Sequence, residues 1–408
     1  MGSDFKPFAD FKLAVAAYAA IWGTGFLSYL TMPYLIGSVA DGMGLGLDKA
    51  GLIGSAELLI VALSSFVITA KVRVLPRRKT AMAGGVIAIA GHSLSLLTNS
   101  IEALLVCRAI AGVGAGMALA IGNACLAAAH DPSKAYGQVM MLLASVGAGI
   151  IVALGYITES WSYYGVFGAQ AVVVALMLIP MMMLPDEDEA KAEDDLSHGQ
   201  VPMLPATMIV IGIVMWHFCD NSIWGFSERI ATNIGMKPEV IGWLLGAGLL
   251  VGVIGGFIAS SIGTRYGRIW PVCVGIAVAV GCVSVITSTT SIAIYSAGIL
   301  TYITSFMFIS SYVYGLAGEL DHHGRVMAAA SGAGNLGVAL APFLSGKVIA
   351  SAGYETMGKV VIATLIVVMT LSAAVGWYIN QNLKRAAPED RQLKLGFRQG
   401  PITRDSVK

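Results

Sequence analysis

Apolar residues run along this chain in long blocks separated by short polar turns. Stretches free of Lys, Arg, Asp and Glu cover residues 13–40, 80–101, 109–130, 135–158, 160–185, 196–219, 240–264, 269–318, 326–346 and 360–383. A helix needs about 20 apolar residues to cross about 30 Å of hydrocarbon, so each block predicts a crossing. The block 269–318 is 50 residues long and contains Thr287-Ser288-Thr289-Thr290-Ser291, so it predicts two helices joined by a tight turn. Residues 50–70 carry a single charge, Glu57, and predict one more. The pattern therefore predicts an all-α membrane protein with twelve transmembrane helices. The first block is too long for a signal-peptide core and reads as a retained span.

The polar stretch Asp186–Gln200, headed by DEDEAKAEDD, divides six predicted spans from six. It reads as a solvated connector. The expected organisation is a bundle over 1–185, a linker over 186–205, a second bundle over 206–383 and a tail over 384–408. With a cytoplasmic N-terminus, 19 of the 25 Lys and Arg residues fall on the cytoplasmic side. The positive-inside rule then puts both termini in the cytoplasm. The halves also echo each other: KVRVLPRRK (71–79) follows the second span and GTRYGRIWP (263–271) follows the eighth. Matching basic turns and a 6+6 division are the signature of pseudo-symmetric repeats.

Composition agrees. Charged residues make up 12% of the chain, against about 25% in a soluble domain. The net charge of +1 gives no reason to expect a nucleic-acid partner. Five cysteines, Cys107, Cys125, Cys219, Cys273 and Cys282, fall in apolar runs and form no C-x-x-C, so they read as small buried side chains rather than metal or redox ligands. No metal or cofactor is expected.

Charges inside the apolar blocks are expensive and mark function or internal pairing. Arg108 opens the pattern Arg108-x-x-x-Gly112-x-Gly114-x-Gly116. At 1.5 Å per residue, Arg108 lies about 8 Å and Glu57 about 10 Å from the outer ends of their spans, so the two can pair. Either Glu57 carries a proton tuned by Arg108, or Arg108 binds an anionic solute, or the pair only fastens two helices. Gly112 and Gly116 share a helix face with Ala120, as Gly248 and Gly252 do with Gly256, and such stripes permit close helix approach. Asp220 lies about 21 Å into the seventh span, within Trp216-His217-Phe218-Cys219-Asp220-Asn221-Ser222-Ile223-Trp224. It reads either as a proton carrier or as a cap at a break in that helix. His92 and His217 are weaker candidates, more in keeping with structural histidines. Glu228 and Arg229 are expected as an exposed pair at the outer mouth.

Arg108 with Gly112, Gly114 and Gly116 resembles the fourth-helix motif of the major facilitator superfamily of secondary transporters. Gly263-Thr264-Arg265-Tyr266-Gly267-Arg268 is similar to that family's loop motif, with Thr264 where an acid usually stands; Pro76-Arg77-Arg78 keeps only its basic end. SVGAGIIVALG (145–155) lacks the Gly-Pro pair of drug/proton antiporters. The resemblance implies that spans 1, 4, 7 and 10 line a central cavity and that Arg77, Arg78, Arg265, Gly267 and Arg268 belong to conformational latches. It also places Asp220 beside the pathway. Tyr18, Trp22, Arg108, Asn123, Trp216, Asn221, Trp224, Tyr302 and Phe306 are then the expected solute contacts, and Tyr34 belongs to the interfacial aromatic belt.

Gly332-Ala-Gly334-Asn-Leu-Gly337 fits G-x-G-x-x-G, but no strand precedes it, so no dinucleotide site is expected; Pro342 is expected to kink that helix for gating. The chain has no HExxH, P-loop or G-x-S-x-G, which argues against an enzyme. The expectation is a monomeric transporter in the cell membrane (the inner membrane in a Gram-negative source), moving a small organic solute by proton symport. Asp220, Glu57 and Arg108 would carry the coupling. Proton-driven export is the alternative, and a non-transporting receptor on the same fold the third reading.

Overall fold

The computed structural model describes residues 7–185, 201–321 and 325–385, and among these every regular element is a helix. In chain order they are α1 (Pro7–Ala20), α2 (Leu27–Leu30), α3 (Met32–Met43), α4 (Leu47–Lys71), α5 (Arg77–Ser95), α6 (Ile101–Ala127), α7 (Pro132–Leu142), α8 (Ala148–Met181), α9 (Met203–Asn233), α10 (Pro238–Ile262), α11 (Ile269–Ser288), α12 (Ile292–Leu320) and α13 (Arg325–Arg385). The linker 186–200 and the tail from 386 lie outside the described residues.

Among the described residues, eight helical stretches are long and apolar enough to cross a membrane: Leu47–Lys71, Ile101–Ala127, Lys134–Met181, Met203–Asn233, Pro238–Ile262, Ile269–Ser288, Ile292–Leu320 and Arg325–Asn382. Two of them contain a break. The chain turns at Ser162 (φ 51°, ψ −140°) inside α8 and at Gly353 (φ 81°, ψ 174°) inside α13. Glycine adopts that left-handed φ without a Cβ clash, whereas serine there is uncommon. The α11–α12 turn falls at Thr289-Thr290-Ser291, where the sequence placed it, and Ser291 Oγ caps α12 by accepting from Ile294 N. Phe66, Trp161, Phe257 and Trp377 stand exposed around the outside, an apolar surface suited to lipid.

The first apolar block is not one rod. A π turn over Ile21–Gly25 interrupts it, and α2 is a four-residue piece between non-helical Phe26 (φ −106°, ψ 16°) and Thr31 (φ −88°, ψ 2°). Pro33, in the first turn of α3, fits the restart, because its missing N–H is not needed there. A second π turn, Leu143–Gly147, joins α7 to α8. Such turns recur at functional positions.

Small residues set the helix spacing. A Cβ on Gly112 would lie 2.6 Å from Glu57 O, and one on Gly116 would lie 2.6 Å from Val61 O, so this stripe seats α6 directly on α4. On α10, Gly248 and Gly252 face Ile303 of α12 as expected, at 2.5 and 3.1 Å from an added Cβ, but Gly256 does not continue that contact. A Cβ on Gly255 would meet Thr304 O of α12 at 2.0 Å, while one on Gly256 meets nothing within 4 Å.

Residues 7–185 and 201–385 meet at one end of the bundle. Tyr34 Oη donates to Pro238 O at 2.8 Å, and Arg229 grips Asp41 at 2.8 Å. Ser55 Oγ accepts from Phe343 N at 2.9 Å. These contacts lie near the loops 44–46 and 234–237, which share that end. They correct two expectations. Tyr34 is buried and bonded across the interface rather than lying in an aromatic belt. Glu228 is also buried, accepting from Thr232 and Arg229, while Arg229 reaches across to Asp41; this is not a surface pair.

Pro342 lies inside α13, and the residue with non-helical dihedrals in that helix is Gly353. The carbonyl of Pro342 lies where a Cβ on Gly51 would fall, at 2.1 Å, so this residue docks α13 onto α4.

Candidate functional site

The short helix α2 carries polar side chains in two directions. Ser28 and Thr31 turn toward α8, where Gln170 Nε2 donates to Thr31 Oγ1 at 2.7 Å and to Ser28 Oγ at 3.2 Å. Tyr29 turns toward α9 and donates its hydroxyl to Asp220 Oδ2 at 2.5 Å. Ser28 and Thr31 are three residues apart and share a face of this turn, while Tyr29 lies about 100° round from Ser28, so one helical turn presents both directions.

Behind Ser28 and Thr31 lies the first polar group. Arg108 Nη1 donates to Gln170 Oε1 at 3.0 Å and lies 3.4 Å from Glu57 Oε2; Nη2 is 2.5 Å from His92 Nδ1. The guanidinium also stacks over Phe167 at 4.7 Å. Arg108 is 0% and Glu57 1% exposed. The expected pair forms, because the missing Cβ of Gly112 lets α4 approach α6 one turn from Arg108. The surrounding residues Glu57, His92, Gln170 and Phe167 come from α4, α5 and α8, so the group is enclosed within residues 7–185. An ion pair held this way in low dielectric costs several kcal/mol to break on one side.

The second group surrounds Asp220 on α9. That helix is continuous from Met203 to Asn233, so Asp220 does not cap a break. Tyr302 of α12 donates to Cys219 O at 3.3 Å. Trp216, one turn before Asp220, stacks on Phe306 at 5.2 Å and 15° and donates to Ser310 Oγ. Trp224, one turn after, donates to Tyr29 O at 3.0 Å. Trp22 and Phe26 extend the ring wall, with centroids 6.2 Å each from Tyr29 and 5.3 Å from one another. Three polar atoms here are buried without a partner: Tyr18 Oη, Trp22 Nε1 and Asn221 Oδ1. The Nδ2 of Asn221 is engaged by Val338 O at 2.7 Å.

The structure thus splits the expected coupling residues into two groups, Glu57 with Arg108 and Asp220 apart, linked through α2. Trp216, Asn221, Trp224, Tyr302 and Phe306 gather along α9 and α12 near Asp220. Trp22 reaches them through Tyr29, and Tyr18 is buried one turn before Trp22. Asn123 is exposed on α6, with no bond joining it to the group, and Arg108 sits inside the first group. Gln170 is the residue that sequence alone did not single out, whereas Tyr29 belongs to the aromatic residues of the first span that the sequence places on a cavity helix. A glutamine carries no motif, and its only signal is a polar atom within an apolar block. His92, a weak candidate by sequence, proves to be an Arg108 partner. Among the described residues no three His, Cys, Asp or Glu side chains converge to hold a metal.

The basic turns lie at the opposite end of the bundle from the Tyr34 and Asp41 contacts. Arg78 Nε donates to Leu184 O at 2.8 Å, tying the α5 start to the α8 exit. Arg77 is buried and Arg265 exposed. Gly267, at φ 78°, turns the chain into α11, and Arg268 pairs with Glu319 of α12, with Asn380 Oδ1 at 3.5 Å. Arg268 of this turn thus finds its acidic partner on α12. A cavity of about 270 Å³ opens beside this turn, lined by Ser260, Thr264, Arg268, Ser311, Tyr312 and Glu319, distinct from the Asp220 group.

A polytopic helical bundle with an uncompensated carboxyl among aromatic rings has the architecture of a secondary transporter. The chain belongs to the Major Facilitator Superfamily, whose model matches residues 17–227 and again 209–403. No curated protein matches it in sequence. The fold is similar to that of the nucleoside transporter NupG (TM-score 0.70, 12% identity, covering 90% of this chain and 99% of that one). It is also similar to a bacterial homolog of the human lysosomal transporter Spinster, solved inward-facing and unoccupied (0.69, 14%, 95% and 100%). A D-xylose-proton symporter gives 0.68 at 13% identity, covering 92% and 97%.

Proposed function

We propose that this protein is a proton-coupled secondary transporter of a small organic solute. It would work by alternating access between bundles 1–185 and 206–383, with twelve crossings and cytoplasmic termini. The eight apolar stretches, the breaks at Ser162 and Gly353, the divided first span and α5 together supply the material for those crossings. With that orientation, the Tyr34–Pro238 and Asp41–Arg229 contacts form a closed outer gate.

One observation carries the coupling. Among the described residues the buried carboxylates Glu57, Glu228 and Asp321 each face a basic partner, whereas Asp220 forms no ion pair and meets only a tyrosine hydroxyl. A carboxyl without a counter-charge in low dielectric is at ease neutral and costly ionised, so it exchanges a proton when the site changes its exposure. Proton symport is the first reading and proton-driven export the second, and the solute's charge decides between them. A neutral or anionic solute bound beside protonated Asp220 gives symport; a cation that displaces the proton gives exchange. The symporter among the structural neighbours is in keeping with the first.

Reconstitution in liposomes tests the reading. A pH gradient should drive uptake or extrusion of some member of a panel of organic solutes, and Asp220→Asn should abolish the gradient dependence. Undiminished gradient-driven flux in that variant would remove Asp220 from the mechanism.

A further inference from the structure

We infer that the solute is an organic cation, an ammonium borne on an aromatic or apolar skeleton, and that it takes the place of the proton on Asp220. The inference rests on the reading of Asp220 as the coupling carboxyl, deepens it to a substrate class, and selects exchange over symport.

Charge distribution is the first ground. The cations that could have served an anionic solute are committed elsewhere: Arg108 to Glu57, Gln170 and His92, and Arg229 to Asp41 and Glu228. Arg268 is held by Glu319. Asp220, 5% exposed, is left as the one buried acid without a basic partner among the described residues. Its polar neighbours are hydroxyls, a thiol and an imidazole. Tyr29 comes from α2 and Tyr302 from α12, while Cys219 and His217 share its own helix; His217 is engaged by Tyr314 Oη at 2.7 Å. The next two residues of α9 bond to α13: Asn221 to the carbonyl of Val338 and Ser222 to the hydroxyl of Ser345.

Ring geometry is the second ground. Trp22, Phe26 and Tyr29 form one continuous wall, and the stacked Trp216–Phe306 pair forms another one turn below Asp220. Aromatic faces attract a desolvated ammonium, and a carboxylate fixes its position.

The exchange step balances simply. Protonated Asp220 gives its proton to water on the side to which the site is open, and the incoming ammonium pairs with the carboxylate left behind. No bond of the solute changes. Cation and proton then occupy the carboxyl in alternate half-cycles, so proton entry drives cation export.

Two trios of one skeleton each test this with the purified full-length protein: 2-phenylethylammonium, 2-phenylethanol and phenylacetate, then tryptammonium, tryptophol and indole-3-acetate. Binding is read by titration calorimetry and proton release by an indicator dye in weakly buffered detergent solution. Each cation should bind about tenfold or more tighter than its partners, a margin expected of one desolvated ion pair with ring contacts, and should release protons on binding. Asp220→Asn should remove both the preference and the release, and Asp220→Glu should retain them. Monodisperse elution and an unchanged melting temperature show that the variants fold. Equal or tighter binding of the neutral or anionic partners, a cation preference that survives in Asp220→Asn, or no cation binding in either trio would overturn the inference. Gradient-driven flux of a neutral or anionic solute that depends on Asp220 would overturn it while leaving proton coupling intact. Flux indifferent to Asp220 would remove the coupling itself.

Discussion

Arg108 and Asp220 are both charges buried in an apolar bundle, and their surroundings give them different work. Arg108 has a carboxylate at 3.4 Å, an amide oxygen at 3.0 Å, an imidazole at 2.5 Å and a ring below it. Its substitution therefore strands neighbours. Arg108→Ala should lower stability by about 3–5 kcal/mol, because Glu57 is left ionised without a partner. Glu57→Gln combined with Arg108→Gln should cost less than the two single changes summed. Thermal melts in detergent check this, and additive losses would show that the pair is not coupled. Asp220 has no such web, so Asp220→Asn should leave the melting temperature within about 1 kcal/mol equivalent of wild type while abolishing proton-coupled flux. A large loss of stability there would mark it as structural.

At the scale of elements, spacing decides function through glycine and through breaks. Gly255→Ala places a Cβ 2.0 Å from Thr304 O and should destabilise the protein by about 1–3 kcal/mol, as overpacking does. Gly256→Ala points into open space and should be neutral or slightly stabilising, since alanine is the better helix former. Melting temperatures of the two variants in the same detergent distinguish them, and equal effects would mean that α10 does not sit on α12 through Gly255. The short helix α2 joins the two polar groups, with Tyr29 on Asp220 and Ser28 and Thr31 on Gln170. Tyr29→Phe keeps the ring and removes the hydroxyl, so it should shift the pH dependence of transport while sparing stability. A pH–rate profile identical to wild type would show that the Tyr29 hydroxyl does not influence the proton site.

Across the whole molecule, the contacts between the two long segments concentrate at the end bearing Asp41, Arg229 and Tyr34. Asp41→Ala with Tyr34→Phe removes two of those bonds and should shift the population toward opening at that end. Spin labels on Glu159→Cys and Val240→Cys, residues of α8 and α10 near the interface, report it as longer distances by double electron–electron resonance. An unchanged distance distribution would mean that other contacts, such as Ser55 with Phe343, hold the gate.

The apolar blocks determined the helical fold by themselves, because a chain in hydrocarbon satisfies its backbone only within helices. Block length together with the run Thr287-Ser288-Thr289-Thr290-Ser291 placed the α11–α12 turn. The depth of Glu57 and Arg108 along their spans foretold their pairing, since rise per residue is fixed. What a linear pattern cannot carry is azimuth and local unwinding. Packing of α2 between α8 and α9 decides that Tyr29 meets Asp220 while Ser28 and Thr31 meet Gln170. The close approach at Gly112 decides that Arg108 is enclosed rather than presented to a solute. Only tertiary packing shows which buried charge is paired and which is not, because that depends on neighbours far apart in the chain, and here it leaves Asp220 alone among the rings.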